Sequence, residues 1–140
     1  MRYLPLEIVK QKAISLGFND CGAAKVEQLC SLHFDKWIKK GYNANMDYLN
    51  KYHSQRFNPC ELLEEAKTVF SFIISYNTEN QIEQYTHKIA SYAQGFDYHK
   101  VIKNKLYILL EELKALYPDF QAKICVDTAP VMEKHWAVKA

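Results

Sequence analysis

Ile102, Leu106, Leu109, Leu110, Leu113, Leu116 and Tyr117 fall at helical spacing along one unbroken stretch, with Asp97 placed to cap its start and Pro118 to stop it. That register predicts a long amphipathic helix whose apolar stripe packs into a core. The rest of the chain has to cover it. Residues 5 to 16 predict a second such helix: Leu6, Val9, Ala13 and Leu16 share a face, Pro5 stands near the start and Gly17 lies just past the end. A third helix is expected over residues 26 to 40, with Cys30, Phe34, Trp37 and Ile38 on its inner side and Gly41 ending it.

Strand signals lie between these helices. Thr68 to Tyr76 carries Val69, Phe70, Phe72, Ile73, Ile74 and Tyr76, and reads as a central strand buried on both faces. Phe18 to Ala24 reads as a short strand or an extended entry, further strands are expected at Lys88 to Ala93 and Gln121 to Val126, and a last helix over Pro130 to Ala140. Residues 42 to 59 are polar and aromatic, with at most one short helix, which is a functional-loop composition. No repeat or linker interrupts the pattern, and 140 residues suit one ordinary domain. The expected fold is α+β over residues 1–140, a mixed sheet flanked by helices.

Charge and composition exclude several function classes. The formal net charge is +2 with lysines scattered among acids, so no basic stripe is available for nonspecific nucleic-acid binding. The only arginines are Arg2 and Arg56, and a fixed bidentate contact to a carboxylate or phosphate must use one of them. No apolar stretch approaches the roughly 20 residues that span a bilayer, and the start lacks a secretion-signal pattern, so no membrane partner and a cytoplasmic location are expected. Cys21, Cys30, Cys60 and Cys125 form no C-x-x-C pair and the five histidines are dispersed, so no metal site is expected from local spacing. Glycine-rich phosphate loops, nucleophile elbows and H-E-x-x-H patterns are also absent.

Three polar segments remain as candidates for a site. Asp127 follows the apolar run Ile124-Cys125-Val126, where a strand end presents a partly desolvated carboxyl to a cleft; the alternative is an ordinary helix cap by Asp127 or Thr128 ahead of Pro130. Arg56 lies in the polar loop, either as an anion contact or as a surface ion pair. Tyr98 and His99 open the long helix, either as site residues or as a solvated first turn.

The stretch Ala90-Ser91-Tyr92-Ala93-Gln94-Gly95-Phe96-Asp97-Tyr98-His99-Lys100, followed after a helix by Val126-Asp127-Thr128-Ala129-Pro130-Val131-Met132-Glu133, resembles the epoxyqueuosine reductase family. Upstream, Met46-Asp47-Tyr48-Leu49, Arg56 with Pro59, Leu62-Leu63 and Ala66-Lys67-Thr68-Val69 resemble it in the same order. The resemblance departs at three places: Ala44 and Glu64-Glu65 stand where the family usually has glycine and Pro-Gly, and Phe96 where a basic residue is common.

What the resemblance implies is a cobalamin-dependent enzyme of nitroreductase-like layering that reduces epoxyqueuosine to queuosine in tRNA, with an electron donor and iron-sulfur clusters supplying electrons. The motif's aspartate, the family's proton donor, falls on Asp127, while Arg56, Tyr98 and His99 would line the corrin or substrate pocket. The family continues past the position of Ala140 into a glycine-rich segment and a ferredoxin-like domain with cysteine cluster motifs. The sequence is accordingly expected to be the N-terminal part of a longer enzyme and inactive alone. Two other readings remain open: a corrinoid or flavin binding module without reduction chemistry, and a purely structural interaction domain.

Overall fold

The computed structural model describes residues 4–76, 90–93 and 95–140. Along the chain run α1 (Leu6–Ser15), β1 (Asp20–Lys25), α2 (Leu32–Lys39), α3 (His53–Phe57), β2 (Thr68–Ile73), α4 (Tyr98–Leu116) and α5 (Glu133–Lys139), with 3-10 turns at Asp47–Leu49, Pro59–Glu61 and Ser91–Ala93. The fold is α+β. Strands β1 and β2 make the sheet seen among the described residues, which is two-stranded and antiparallel, narrower than the mixed sheet read from the sequence. Two compact units divide the chain: Met1–Gly22 with Phe72–Val126, and Ala23–Ser71 with Asp127–Ala140.

In the first unit α1 packs on α4. Val9 and Ala13 of α1 and Leu106, Leu109, Leu110 and Leu113 of α4 are buried, as their shared spacing predicts. Gly17, at φ +85, closes α1: its N–H reaches the Ile14 carbonyl and that of Phe18 the Ala13 carbonyl, a Schellman motif with buried Phe18 beneath it. Lys105 of α4 donates to the Leu16 carbonyl at the same helix end. Polar contacts reinforce this side, with Lys12 Nζ 2.7 Å from Glu112 Oε2 and Lys10 Nζ 2.7 Å from Asp20 Oδ1. The Asn19 N–H donates to the Ile73 carbonyl at 2.7 Å, and the rings of Phe18 and Phe72 lie 5.2 Å apart. Residues 121 to 126, expected as a strand, join no ladder among the described residues, although Val126 is buried.

In the second unit Ala24, Leu29, Phe57 and Trp136 form the core, with Phe34, Val69, Val131 and Met132 packed against it. The expected helix over residues 26 to 40 begins only at Leu32. The Val26 N–H is taken by the Lys67 carbonyl and the Leu29 N–H by the Phe57 carbonyl, so tertiary hydrogen bonds hold this stretch extended and leave Cys30 exposed. Gly41, at φ +70, ends α2 by the device seen at Gly17, with Gly41 N–H on the Ile38 carbonyl and Tyr42 N–H on that of Trp37.

Strand β2 departs from the expectation of burial on both faces. Its inner positions are half-covered and Ile73 is 60% exposed, and among the described residues the strand pairs with β1 alone. The strand expected at Lys88 to Ala93 lies partly outside the described residues, and its described end holds the turn Ser91–Ala93.

Candidate functional site

Asp127 lies at a backbone position of uncommon conformation. Its φ is +52, in the left-handed region that disfavours most side chains but that Asp and Asn tolerate best after glycine. Its N–H donates to Glu133 Oε1 at 2.8 Å, bridging a loop in which the Val131 N–H also donates to the Ala129 carbonyl. The loop's far side is anchored by Val131 and Met132 against the core that contains Trp136. Helix α5 begins at Glu133 with Met132 in the cap position, so Asp127 is not its cap, and neither is Thr128. The sequence also led us to expect a partly desolvated carboxyl; Asp127 is exposed.

Arg56 is positioned by α3, whose first turn hangs from the left-handed Tyr52 at φ +57 and bonds the Arg56 N–H to the Tyr52 carbonyl at 3.1 Å. The guanidinium lies over the Phe34 ring, Cζ 5.5 Å from its centroid, and Nε is buried without a hydrogen-bond acceptor. No carboxylate among the described residues pairs with it. An orphaned buried N–H costs roughly 1 to 3 kcal/mol. Phe34 also meets His53 and Phe57, with centroids 5.8 and 5.5 Å away. On the polar side, His53 Nε2 lies 2.6 Å from Asp35 Oδ1 and Ser31 Oγ donates to Asp35 Oδ2 at 2.7 Å. The Ser31 hydroxyl, and then His53, hold the Asp35 carboxyl below the usual carboxylate range.

Tyr98 and His99 sit in the other unit, at the start of α4. Asp97 caps this helix as expected: its Oδ1 accepts the His99 N–H at 3.0 Å and lies 3.0 Å from His99 Nδ1. The hydrogen bond from the His99 ring, with the one from its amide, holds the Asp97 carboxyl low. The Tyr98 and His99 rings stack at 4.0 Å, and a ladder of edge contacts continues from Tyr98 to Tyr92 at 6.0 Å and from Tyr92 to Tyr76 at 6.3 Å. Phe96, where the resemblance led one to look for a basic residue, is 91% exposed.

Arg56 and Asp127 thus belong to one unit, and Tyr98 and His99 to the other. The residues missed by sequence reasoning are Glu133 as the partner of Asp127, and the group Ser31, Asp35 and His53. Ser31 and Asp35 are four residues apart, a spacing that signals a helix-start pair; nothing in the sequence links them to His53. Among the described residues no three His, Cys, Asp or Glu side chains gather as a metal site, and no helix is long and apolar enough to cross a membrane.

A family model described as epoxyqueuosine reductase QueG, DUF1730, matches residues 56–128. The epoxyqueuosine reductase of Cellulophaga algicola is 38% identical over 136 residues, covering 96% of this chain and 44% of that protein. That of Cyclobacterium marinum is 39% identical over 138 residues, with the same coverage of 96% and 44%. The chain therefore spans less than half the length of these curated relatives. Among solved structures, epoxyqueuosine reductase from Streptococcus thermophilus superimposes with a TM-score of 0.74 at 23% identity, covering 91% of this chain and 36% of that one. A selenomethionine-labeled epoxyqueuosine reductase gives a TM-score of 0.80 at 22% identity, covering 94% and 37%.

Proposed function

This chain belongs to the epoxyqueuosine reductase family, whose model matches more than half of it, and from that premise we propose that it carries the proton-donating part of an enzyme that reduces epoxyqueuosine to queuosine in tRNA. The observation that carries this reading is Asp127. Its carboxylate stands exposed on a loop anchored to the core, and the cap role that competed for it belongs to another residue. An acid with no part in starting a helix and within reach of a bound substrate can be covered by that substrate, and a carboxyl so desolvated holds a proton to give to an alkoxide as an epoxide opens, help typically worth about a hundredfold to ten-thousandfold in rate.

Cobalamin is the cofactor this reading requires, and the half-buried guanidinium of Arg56 supports the fit, because the cofactor's phosphate and amide oxygens are acceptors that a guanidinium binds. Arg56 would hold such an oxygen, with Phe34 fixing the guanidinium plane. Tyr98 and His99 keep the role the resemblance implies, contact with the cofactor or substrate. When bound, cobalamin supplies a strongly reducing cobalt centre. On this reading the iron-sulfur clusters that would supply its electrons lie outside residues 1–140, and these residues alone would not turn over. The nitroreductase-like layering and a cytoplasmic location belong to the same reading.

The test is Asp127→Asn in the complete protein. Asparagine tolerates the left-handed backbone and keeps the volume but cannot donate an acidic proton. The expected result is an unchanged melting temperature, retained cobalamin spectrum and single-turnover epoxide reduction slower by about a hundredfold or more. Near-normal reduction would remove Asp127 from the chemistry.

A further inference from the structure

We infer that Glu133 is a positioning residue for Asp127: its carboxylate takes the Asp127 N–H and holds the exposed acid in its left-handed turn. The inference rests on the reading of Asp127 as proton donor. A left-handed aspartate has an extended alternative close in energy, and moving between the two swings the side chain away from whatever it serves. A hydrogen bond to the residue's own amide opposes that swing, because the amide turns with φ and ψ.

The anchor at the other end is firm. Glu133 is the first residue of α5, whose Trp136 is 1% exposed in the core with Met132 packed beside it. The Trp136 N–H bonds back to the Met132 carbonyl at 3.1 Å, so the start of the helix is tied to the same core. A side chain rooted there and reaching six residues back carries the core's rigidity to the exposed Asp127 and Thr128. Placement of a reacting group to within fractions of an ångström affects the chemical step more than binding, so loss of the clamp acts on turnover.

Carboxylate chemistry makes the idea separable from a general role in helix formation. Glutamine at 133 keeps an acceptor oxygen at the same reach while losing the charge, whereas alanine loses the acceptor and keeps a good helix former. In the complete protein, Glu133→Ala is expected to speed hydrogen exchange of the Asp127 amide by about tenfold or more, as loss of a charge-assisted hydrogen bond implies. The single-turnover rate should fall by about tenfold with substrate affinity unchanged, since a near-attack geometry is lost and no substrate contact is. Glu133→Gln should restore both readouts to within about threefold of the parent, since the acceptor remains.

Unaltered Asp127 exchange in Glu133→Ala overturns the clamp, as does faster exchange with an unaltered single-turnover rate. Failure of Glu133→Gln to restore either, with a shifted Trp136 emission, would make the residue a helix-start element instead. The proton-donor reading fails separately, through normal turnover in Asp127→Asn. In that case the exchange measurement still decides whether Glu133 holds the turn.

Discussion

Arg56 lies over the ring of Phe34 with its Cζ 5.5 Å from the centroid, while its Nε is buried and has no acceptor. The stacking is worth about 0.5 to 1 kcal/mol at a partly exposed site, and the orphaned N–H works against it by a similar or larger amount. The second offsets the first, so Arg56 adds little net stability.

Arg56→Ala should therefore change the melting temperature little and weaken anion or cofactor binding by about tenfold or more, the loss of one charge-assisted hydrogen bond. Arg56→Lys should fall between, keeping the charge but losing the planar fork that stacks on Phe34. A titration of the complete protein with cobalamin, beside a thermal melt, reads both; unchanged binding with a large drop in melting temperature would make Arg56 structural.

Ala44 and Glu65 both hold left-handed backbone, at φ +45 and +56, and these are two of the places where the resemblance departs by lacking glycine. The left-handed conformation costs a side-chain-bearing residue roughly 1 to 2 kcal/mol, whereas glycine's extra freedom in the unfolded chain costs about 0.4 to 1. Ala44→Gly and Glu65→Gly should each stabilise the protein by about 0.5 to 1 kcal/mol, additively, because the difference of those terms favours glycine. Urea denaturation of the two single variants and the double variant checks this, and a loss of stability in either would show that its backbone is held without strain.

These positions also show what was legible beforehand. Helices α1 and α4 could be read because Val9, Ala13, Leu106, Leu109 and Leu113 obey a period that needs no knowledge of partners. The extended stretch before Leu32 could not, since the carbonyls of Lys67 and Phe57 that hold it are set by tertiary folding. Strand β2 was over-read for a related reason: an apolar run states what a segment is able to bury, not what comes to cover it. Asp97 was legible by its cap spacing. The Asp-Thr-Ala-Pro run looks like a helix start, yet α5 begins three residues after Pro130. Glu133 was hidden because a glutamate in a first helical turn is unremarkable by itself.

Asp35, bonded to Ser31 and His53, makes stability depend on acid. Its carboxyl is held below the ordinary value near 3.9, so its contribution is complete above that pH and is lost as pH falls towards the lower folded value. Asp35→Asn should be less stable than the parent at pH 7, and the gap should narrow below about pH 4, where the parent's carboxylate takes up its proton. A gap that stays constant from pH 7 to pH 3 would remove Asp35 from the acid response.

Cys21 gives the opposite sign. Burial, with the Asp20 carboxylate beside it, pushes its thiol up to about 11, so the fold favours the neutral form. Its contribution to stability is complete below the ordinary thiol range near 8.5 and is lost as pH rises through about 11. At pH 8 iodoacetamide should alkylate the exposed Cys30 and Cys60 and leave Cys21 intact until denaturant is added. Modification of Cys21 in the native protein at a rate like that of Cys30 would contradict its burial.

Each compact unit is drawn from two separated stretches of chain, and this bears on how the protein is made. Val9 and Ala13 leave the ribosome early, but the α4 residues that cover this helix lie about a hundred positions later. At common translation speeds that is a wait on the order of ten seconds. The core around Leu29 and Phe57 waits likewise for Trp136. During synthesis both apolar faces stay uncovered together, so the nascent chain, more than the finished one, is the form in need of a chaperone.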